Sequence, residues 1–310
     1  MGAVVKDKKK IDGRIAFIGF GEAAQAFLTG WRTVAEVAVD AYDIKTDQTE
    51  TRIAKQEDYR MHGIGGGTRA VEVVQGAPFV FSAVTADASL DAAESVVPAI
   101  EAGALYLDIN SVSPNRKRTS ADLIAATGAL YVDVAVMAPV HPKLHRTPLL
   151  ISGPGAEKAA RLLDHLDMKF ELISEKVGDA SVIKMIRSVL VKGFESLMVE
   201  SVMAAVKAGV DERILNSLGN VYPGMDMAKH AGYMMERVMV HGRRRAAEMR
   251  EVEKTLQELG IDGFMAAATA RRQDWFVDLG AAADFPGGVP EDYLALAQAA
   301  LLRLEARKPS

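Results

Sequence analysis

Between residues 14 and about 170, short β-branched apolar runs alternate with alanine-rich amphipathic stretches, the pattern of βαβ units on a parallel sheet. The runs lie at 14–19, 37–42, 79–84, 105–109, 130–136 and 149–152. Several are apolar almost throughout, as expected of strands covered by helices on both faces. After Gly178 the pattern changes to helical periodicity. Residues 179–209 contain no proline and one internal glycine, Gly193, and further helices are predicted over 211–219, 225–258, 263–279 and 291–306. The expected fold is α/β: a doubly wound parallel sheet followed by an all-helical C-terminal domain. Residues 1–13 are expected to be a disordered tail, 14–175 the sheet domain and 176–310 the helical domain.

A length of 310 residues suits two domains. Lys plus Arg total 37 and Asp plus Glu 41, so the net charge of −4 argues against a nucleic-acid partner. The absence of cysteine removes disulfides, thiolate metal sites and cysteine nucleophiles together. Residues 1–13 carry four lysines and no apolar core of a secretory signal, and no stretch approaches 18 consecutive apolar residues. The expectation is a soluble cytoplasmic protein with no membrane partner. Fourteen methionines, clustered at Met225, Met227, Met234, Met235 and Met239, suit an adaptable helical core or a dimer seam.

Chemistry enters at Gly19-Phe20-Gly21-Glu22-Ala23-Ala24, which follows the first strand and opens a helix. This GxGxxA is in the context that a Rossmann-type dinucleotide fingerprint requires. Gly19 permits the tight turn, Gly21 leaves room for pyrophosphate, and Ala24 allows close helix–strand packing. Asp43, at the end of the second strand and 19 residues beyond Ala24, would accept hydrogen bonds from the adenine-ribose hydroxyls and repel a 2′-phosphate. NAD is therefore favoured over NADP, although Lys45 offsets part of that repulsion. Asp43 also reads as a solvated turn residue, with Asp47 a competitor for its role. The glycines at 63 and 65–67 lack the Lys-Ser/Thr of a phosphate loop and read as a loop lining the adenine end or a plain connection.

Two further segments resemble the β-hydroxyacid dehydrogenase superfamily, the relatives of 6-phosphogluconate dehydrogenase and 3-hydroxyisobutyrate dehydrogenase. Asp108-Ile-Asn-Ser-Val-Ser-Pro114 is similar to its Asp-x-Ser-Thr/Ser-x-x-Pro segment. Gly178-Asp-Ala-Ser-Val-Ile-Lys184-Met-Ile-Arg-Ser188 is similar to the helix that carries its catalytic lysine. The family's asparagine four residues beyond that lysine is Ser188 here. Its glycine-rich substrate loop is replaced by Asp133-Val-Ala-Val-Met-Ala-Pro-Val-His141-Pro-Lys-Leu-His145. The lysine helix and the segment from His241 resemble a less characterised subgroup with a distinct C-terminal domain. The resemblance implies a homodimer, a small-molecule substrate and an active site at the interdomain cleft.

It also implies an NAD-dependent oxidoreductase acting on the CH–OH group of a hydroxy acid or alcohol, with Lys184 as general acid/base. Lys184, Arg187, Ser188 and Lys192 share one helical flank by spacing, and nearby cations with partial burial favour a neutral lysine able to take a proton. Taken without the motif, the same stripe reads as a solvated helix face. Ser111 and Ser188 would hold the substrate hydroxyl or an adjacent carboxylate. Asn110 would hold a nicotinamide-ribose or substrate oxygen, and Val84 and Thr85 would line the cofactor. His141 lies where the family's substrate loop stands, and Tyr222 is a further substrate candidate. The arginines at 243–245 could grip a carboxylate, face a second subunit or be solvated. No metal site is expected, because Pro142 separates His141 from His145. Two alternatives stay open: a lyase releasing formaldehyde by retro-aldol cleavage, and a dinucleotide-sensing protein without turnover.

Overall fold

In the computed structural model, which describes residues 9–307, the first half of the chain builds an eight-stranded sheet. Its strands are β1 (Lys9–Ile18), β2 (Ala35–Tyr42), β3 (Gly65–Gly66), β4 (Phe79–Ser82), β5 (Leu105–Asp108), β6 (Leu130–Val136), β7 (Leu149–Ser152) and β8 (Phe170–Ser174), in the order β3-β2-β1-β4-β5-β6-β7-β8. The helices between them are α1 (Glu22–Trp31), α2 (Thr49–Met61), α3 (Ala70–Val74), α4 (Ser89–Val96), α5 (Pro114–Ala125) and α6 (Ala156–His165). Alternation along β1 shows why the sheet needs both layers. Ile15 and Phe17 enter one core with Phe27, Trp31, Leu107 and Leu163, while Ala16 and Ile18 enter the other with Val74, Val96, Tyr106 and Ile124.

Four details depart from the sequence expectation. Residues 9–13 are not a disordered tail: β1 begins at Lys9, Lys9 and Lys10 pair with Ala35 and Glu36, and Ile11 is buried. The rest of that expected tail lies outside the described residues. The sheet is not wholly parallel, because β7 runs antiparallel to β6. Gly65 and Gly66 are an edge strand paired with Asp40 and Ala41. Finally, β8 joins the far edge, where its half-exposed residues left no apolar run to read.

The second half is helical: α7 (Asp179–Ala208), α8 (Asp211–Val221), α9 (Met227–Glu258), α10 (Phe264–Asp278) and α11 (Tyr293–Glu305). The chain divides into two compact units, one reaching to Lys184 and the other starting at Met185. The division thus falls inside α7 and not at 175/176. The helical unit has its own core, in which Met198, Met203, Met227, Met235 and Met239 pack with Val238, Phe276 and Leu296. No helix among the described residues is long and apolar enough to cross a membrane.

His145 links pH to the stability of the sheet unit. Its ring packs on α1 at Gly30, where a Cβ would meet Nδ1 at 1.9 Å, and its side chain is almost fully buried. Burial disfavours the imidazolium and Arg146 adds to that, while Asp167, 3.9 Å from Nε2, opposes, so the pKa falls below the ordinary 6.5. The unfolded chain then takes up a proton near pH 6.5 that the folded chain takes up only at lower pH. Stability is lost as pH drops through this window. The urea midpoint should fall between pH 7.5 and pH 5.5 (about one unit to either side of the ordinary histidine pKa), and His145→Leu should flatten this slope. An equal slope in the variant would refute the assignment.

Candidate active site

The dinucleotide fingerprint lies where the strand order reverses, between the carboxyl ends of β1 and β4. Gly19 takes φ +84°, and a Cβ there would lie 2.4 Å from the Ala83 carbonyl oxygen. Its N–H donates to Tyr42 O at 2.7 Å. The Phe20 ring is buried edge-on to Tyr59 and His62. Gly21 stands at the N-cap of α1 with no side-chain cap, and a Cβ added there would meet nothing within 4 Å. Glu22 is exposed in the first turn, Ala23 is half-buried and Ala24 is buried. Uncapped first-turn N–H groups beside open space fit a pyrophosphate.

Asp43 is not a solvated turn residue. It is 9% exposed; Oδ2 accepts the Phe20 N–H at 2.9 Å and Oδ1 accepts the Lys45 N–H at 3.1 Å. Each oxygen keeps a second acceptor site, which leaves capacity for ribose hydroxyls. From α2, Lys55 donates to Phe20 O at 2.8 Å, pairs with Asp58 at 2.7 Å and stands 3.9 Å from Asp43. The glycine turn is thus gripped at both Phe20 backbone groups. Sequence reading missed Lys55 and Asp58, whose residue types on an amphipathic helix look like ordinary surface charge.

At the next strand ends, Asn110 ties two loops together: Oδ1 accepts the Val84 N–H at 2.7 Å and Nδ2 donates to Ser82 Oγ at 2.9 Å. With its oxygen so engaged, its side chain first serves to fix the loops. Thr85 is exposed, and its hydrogen bond to Asp87 is the main cause that holds that carboxyl below its usual pKa. The structure brings Lys184 and Ser111 together, Nζ donating to Oγ, although 73 residues separate them.

The basic flank expected on α7 takes a different form. Lys192 is buried and pairs with Glu248 at 2.7 Å, with its Nζ 3.4 Å from Ser188 Oγ, whereas Arg187 is exposed. A carboxylate from α9 therefore balances a charge that spacing alone assigned to the flank. The arginines at 243–245 are also engaged within the helical unit. Arg243 pairs with Asp274 and Asp278, Arg244 with Glu248, and Arg245 is buried on Glu195. Tyr222 is 43% exposed, its ring 6.1 Å from that of Phe194, and His141 is exposed in the loop after β6.

The profile of the NAD binding domain of 6-phosphogluconate dehydrogenase matches residues 14–170, and that of a domain of unknown function, DUF1932, matches residues 205–276. The chain belongs to the β-hydroxyacid dehydrogenase superfamily. Within that superfamily, the DUF1932 region is its distinct C-terminal domain, and the sheet unit is its NAD(P)-binding domain. A conserved hypothetical protein from Sinorhizobium meliloti 1021 is similar at 33% identity, covering 96% of this chain and 98% of its own, with a TM-score of 0.71. A conserved protein of unknown function, itself described as structurally similar to 3-hydroxyacid dehydrogenases, is 32% identical over 86% of this chain and 97% of its own, with a TM-score of 0.66. The 3-hydroxyisobutyrate dehydrogenase of Mycobacterium tuberculosis, solved with L-serine, shares the fold at 14% identity, covering 93% of this chain and 99% of its own (TM-score 0.67). Nothing in these likenesses supports the lyase alternative.

The two fingerprint glycines should separate on mutation. Gly21→Ala places a methyl in open space at φ −98°, so its thermal midpoint should match wild type while NADH affinity, read by fluorescence titration, falls at least about tenfold. Gly19→Ala should lower the midpoint itself. Wild-type NADH affinity in folded Gly21→Ala would show that the pyrophosphate does not sit there.

Proposed function

We propose that the protein is a dehydrogenase that uses NAD in preference to NADP and oxidises the CH–OH group of a small hydroxy acid or alcohol. The observation that carries this is the Lys184 Nζ–Ser111 Oγ hydrogen bond, which joins the two segments that resemble the superfamily's catalytic elements. In this reading Gly19, Phe20, Gly21, Glu22 and Ala23 hold the pyrophosphate, and Asp43 holds the adenine ribose. Val84, Thr85 and Asn110 line the nicotinamide end. When bound, the nicotinamide supplies the hydride-accepting and hydride-donating chemistry.

Lys184, unprotonated, takes the proton of the substrate hydroxyl at Nζ and returns it in the reverse direction. Because Nζ already spends a donor on Ser111, the serine hydroxyl proton is directed away from the lysine. It can then donate to the substrate oxygen and hold that oxygen beside the base. His141, in the loop after β6, is assigned to a remaining substrate group. The active form is a homodimer in this reading, supported by Ile186, Leu190 and Leu197, which leave an apolar line exposed on α7.

Turnover followed at 340 nm against a panel of hydroxy acids and alcohols, with NAD and NADP, tests the assignment. Lys184→Ala should retain NADH binding while kcat falls by about 10²–10⁴-fold, the usual share of general acid–base catalysis. In the oxidative direction, wild-type kcat should rise with pH as the lysine loses its proton. Lys184→Ala turnover near that of wild type would overturn the mechanism and return the lysine to a structural or sensing role.

A further inference from the structure

In the sheet unit three fully buried charged side chains, which the proposed chemistry does not use, form one cluster. Asp108 and Asp133 end up directly opposite each other on β5 and β6, and both are fully buried. Lys117, also fully buried, reaches them from α5, whose inward face is Pro114, Lys117, Ser120, Ala121 and Ile124. Its Nζ donates to Asp108 O at 2.6 Å and lies 3.0 Å from Asp108 Oδ1 and 3.4 Å from Asp133 Oδ1. One ammonium therefore serves two carboxylates.

The remaining acceptor sites lead to the two halves of the Lys184–Ser111 pair. Asp108 Oδ1 accepts the Asn110 N–H at 2.9 Å, which fixes the loop that carries Ser111. Its Oδ2 accepts the Tyr131 hydroxyl at 2.5 Å, a donor kept protonated because burial raises its pKa well above the ordinary value. Asp133 takes the first turn of α7. Its Oδ2 accepts the Gly178 N–H at 3.1 Å and the Ser181 N–H at 3.0 Å, and its Oδ1 accepts the Ser181 hydroxyl at 2.6 Å. Ser152 adds a second tie, its Oγ accepting the Ala180 N–H at 3.1 Å. Lys184 follows Ser181 by three residues, about one helical turn.

The geometry points to Asp133 as a positioning residue for Lys184, with Lys117 as the buried cation that pairs with both Asp133 and Asp108. Asp133 supplies from β6 the negative charge that a helix N-terminus favours, and thereby fixes the rotation and height of the turn that presents Lys184 to Ser111. Lys117 couples this clamp to the Ser111 loop through Asp108, so the base and its serine partner are set from one buried charge cluster. The inference rests on the reading of Lys184 as the base, but its test does not need turnover.

The acylation rate of Lys184 by acetic anhydride at fixed pH, read by mass spectrometry against exposed Lys229 as internal control, reports how the amine is held. Ser181→Ala removes one hydroxyl and leaves the ion cluster intact; it should change the Lys184 rate at least threefold with NADH affinity unchanged, and Ser181→Thr should restore the wild-type rate. Asp133→Asn should change the rate further. If Asp133→Asn does not fold, the Ser181 pair alone decides. A wild-type Lys184 rate in folded Ser181→Ala would overturn the positioning role. This outcome is distinct from failure of the catalytic reading, which Lys184→Ala turnover reports.

Discussion

The carboxyl edge of this sheet is organised by a like-charge problem. Two aspartates face each other across β5 and β6 in the interior, and like charges buried side by side repel unless opposite charge is brought to them. Lys117 supplies one charge, and the N–H groups that open α7 supply the partial positive charge of a helix N-terminus. Removing one partner of such a cluster typically costs about 3–5 kcal/mol, because the remaining charge is left buried and unpaired. An apolar trio would fill the same space but leave the Gly178, Ser181 and Asn110 N–H groups and the Tyr131 hydroxyl without acceptors. The ionic version adds direction: each oxygen dictates where a particular N–H or hydroxyl must lie. Placement of the α7 start follows from that.

The cofactor cradle is built on the opposite principle. It sits on local backbone, with Gly19 bending at positive φ against Ala83 and Gly21 leaving space above the first turn of α1. Its supports approach from the strand end and from α2, where Asp43 takes the Phe20 N–H and Lys55 takes the Phe20 carbonyl. In the proposed reading Asp43 has two tasks, since the carboxylate assigned to the ribose also fastens the turn. Asp43→Asn would weaken both together, and altered cofactor preference alone would be a poor measure of its role.

What the sequence made legible follows from how local each signal is. The five C-terminal helices were readable nearly to their ends, because periodicity, Gly209, Gly260 and the 286–290 loop are local marks. The strands carrying apolar runs were readable for the same reason. Short β3 and half-exposed β8 carry no such run, and the antiparallel turn into β7 depends on tertiary pairing that no run encodes. The site divides likewise. The GxGxxA turn and the lysine helix are contiguous motifs, whereas Lys192 finds Glu248 across 56 residues and Lys117 finds Asp133 across 16. One trace was there to be read. Lys117 occupies an inward position of α5, Asp108 ends the otherwise apolar β5, and Asp133 interrupts the otherwise apolar β6.

These two modes of construction make cofactor binding and acid–base chemistry separable. Nothing in the grip on Phe20 passes through Asp133, and nothing in the Asp133 clamp passes through the glycine turn. Asn110 has a hand in each, because its backbone N–H is held by Asp108 while its side chain holds the Val84 loop beside Gly19. A perturbation at the charge cluster therefore reaches the cofactor end only by displacing Asn110, which is also bonded to Ser82 and resists such a shift. The Val84 loop and Lys184 are in this way set from a common buried reference. In the proposed reaction, that is the geometric condition for hydride and proton to leave neighbouring atoms of one substrate.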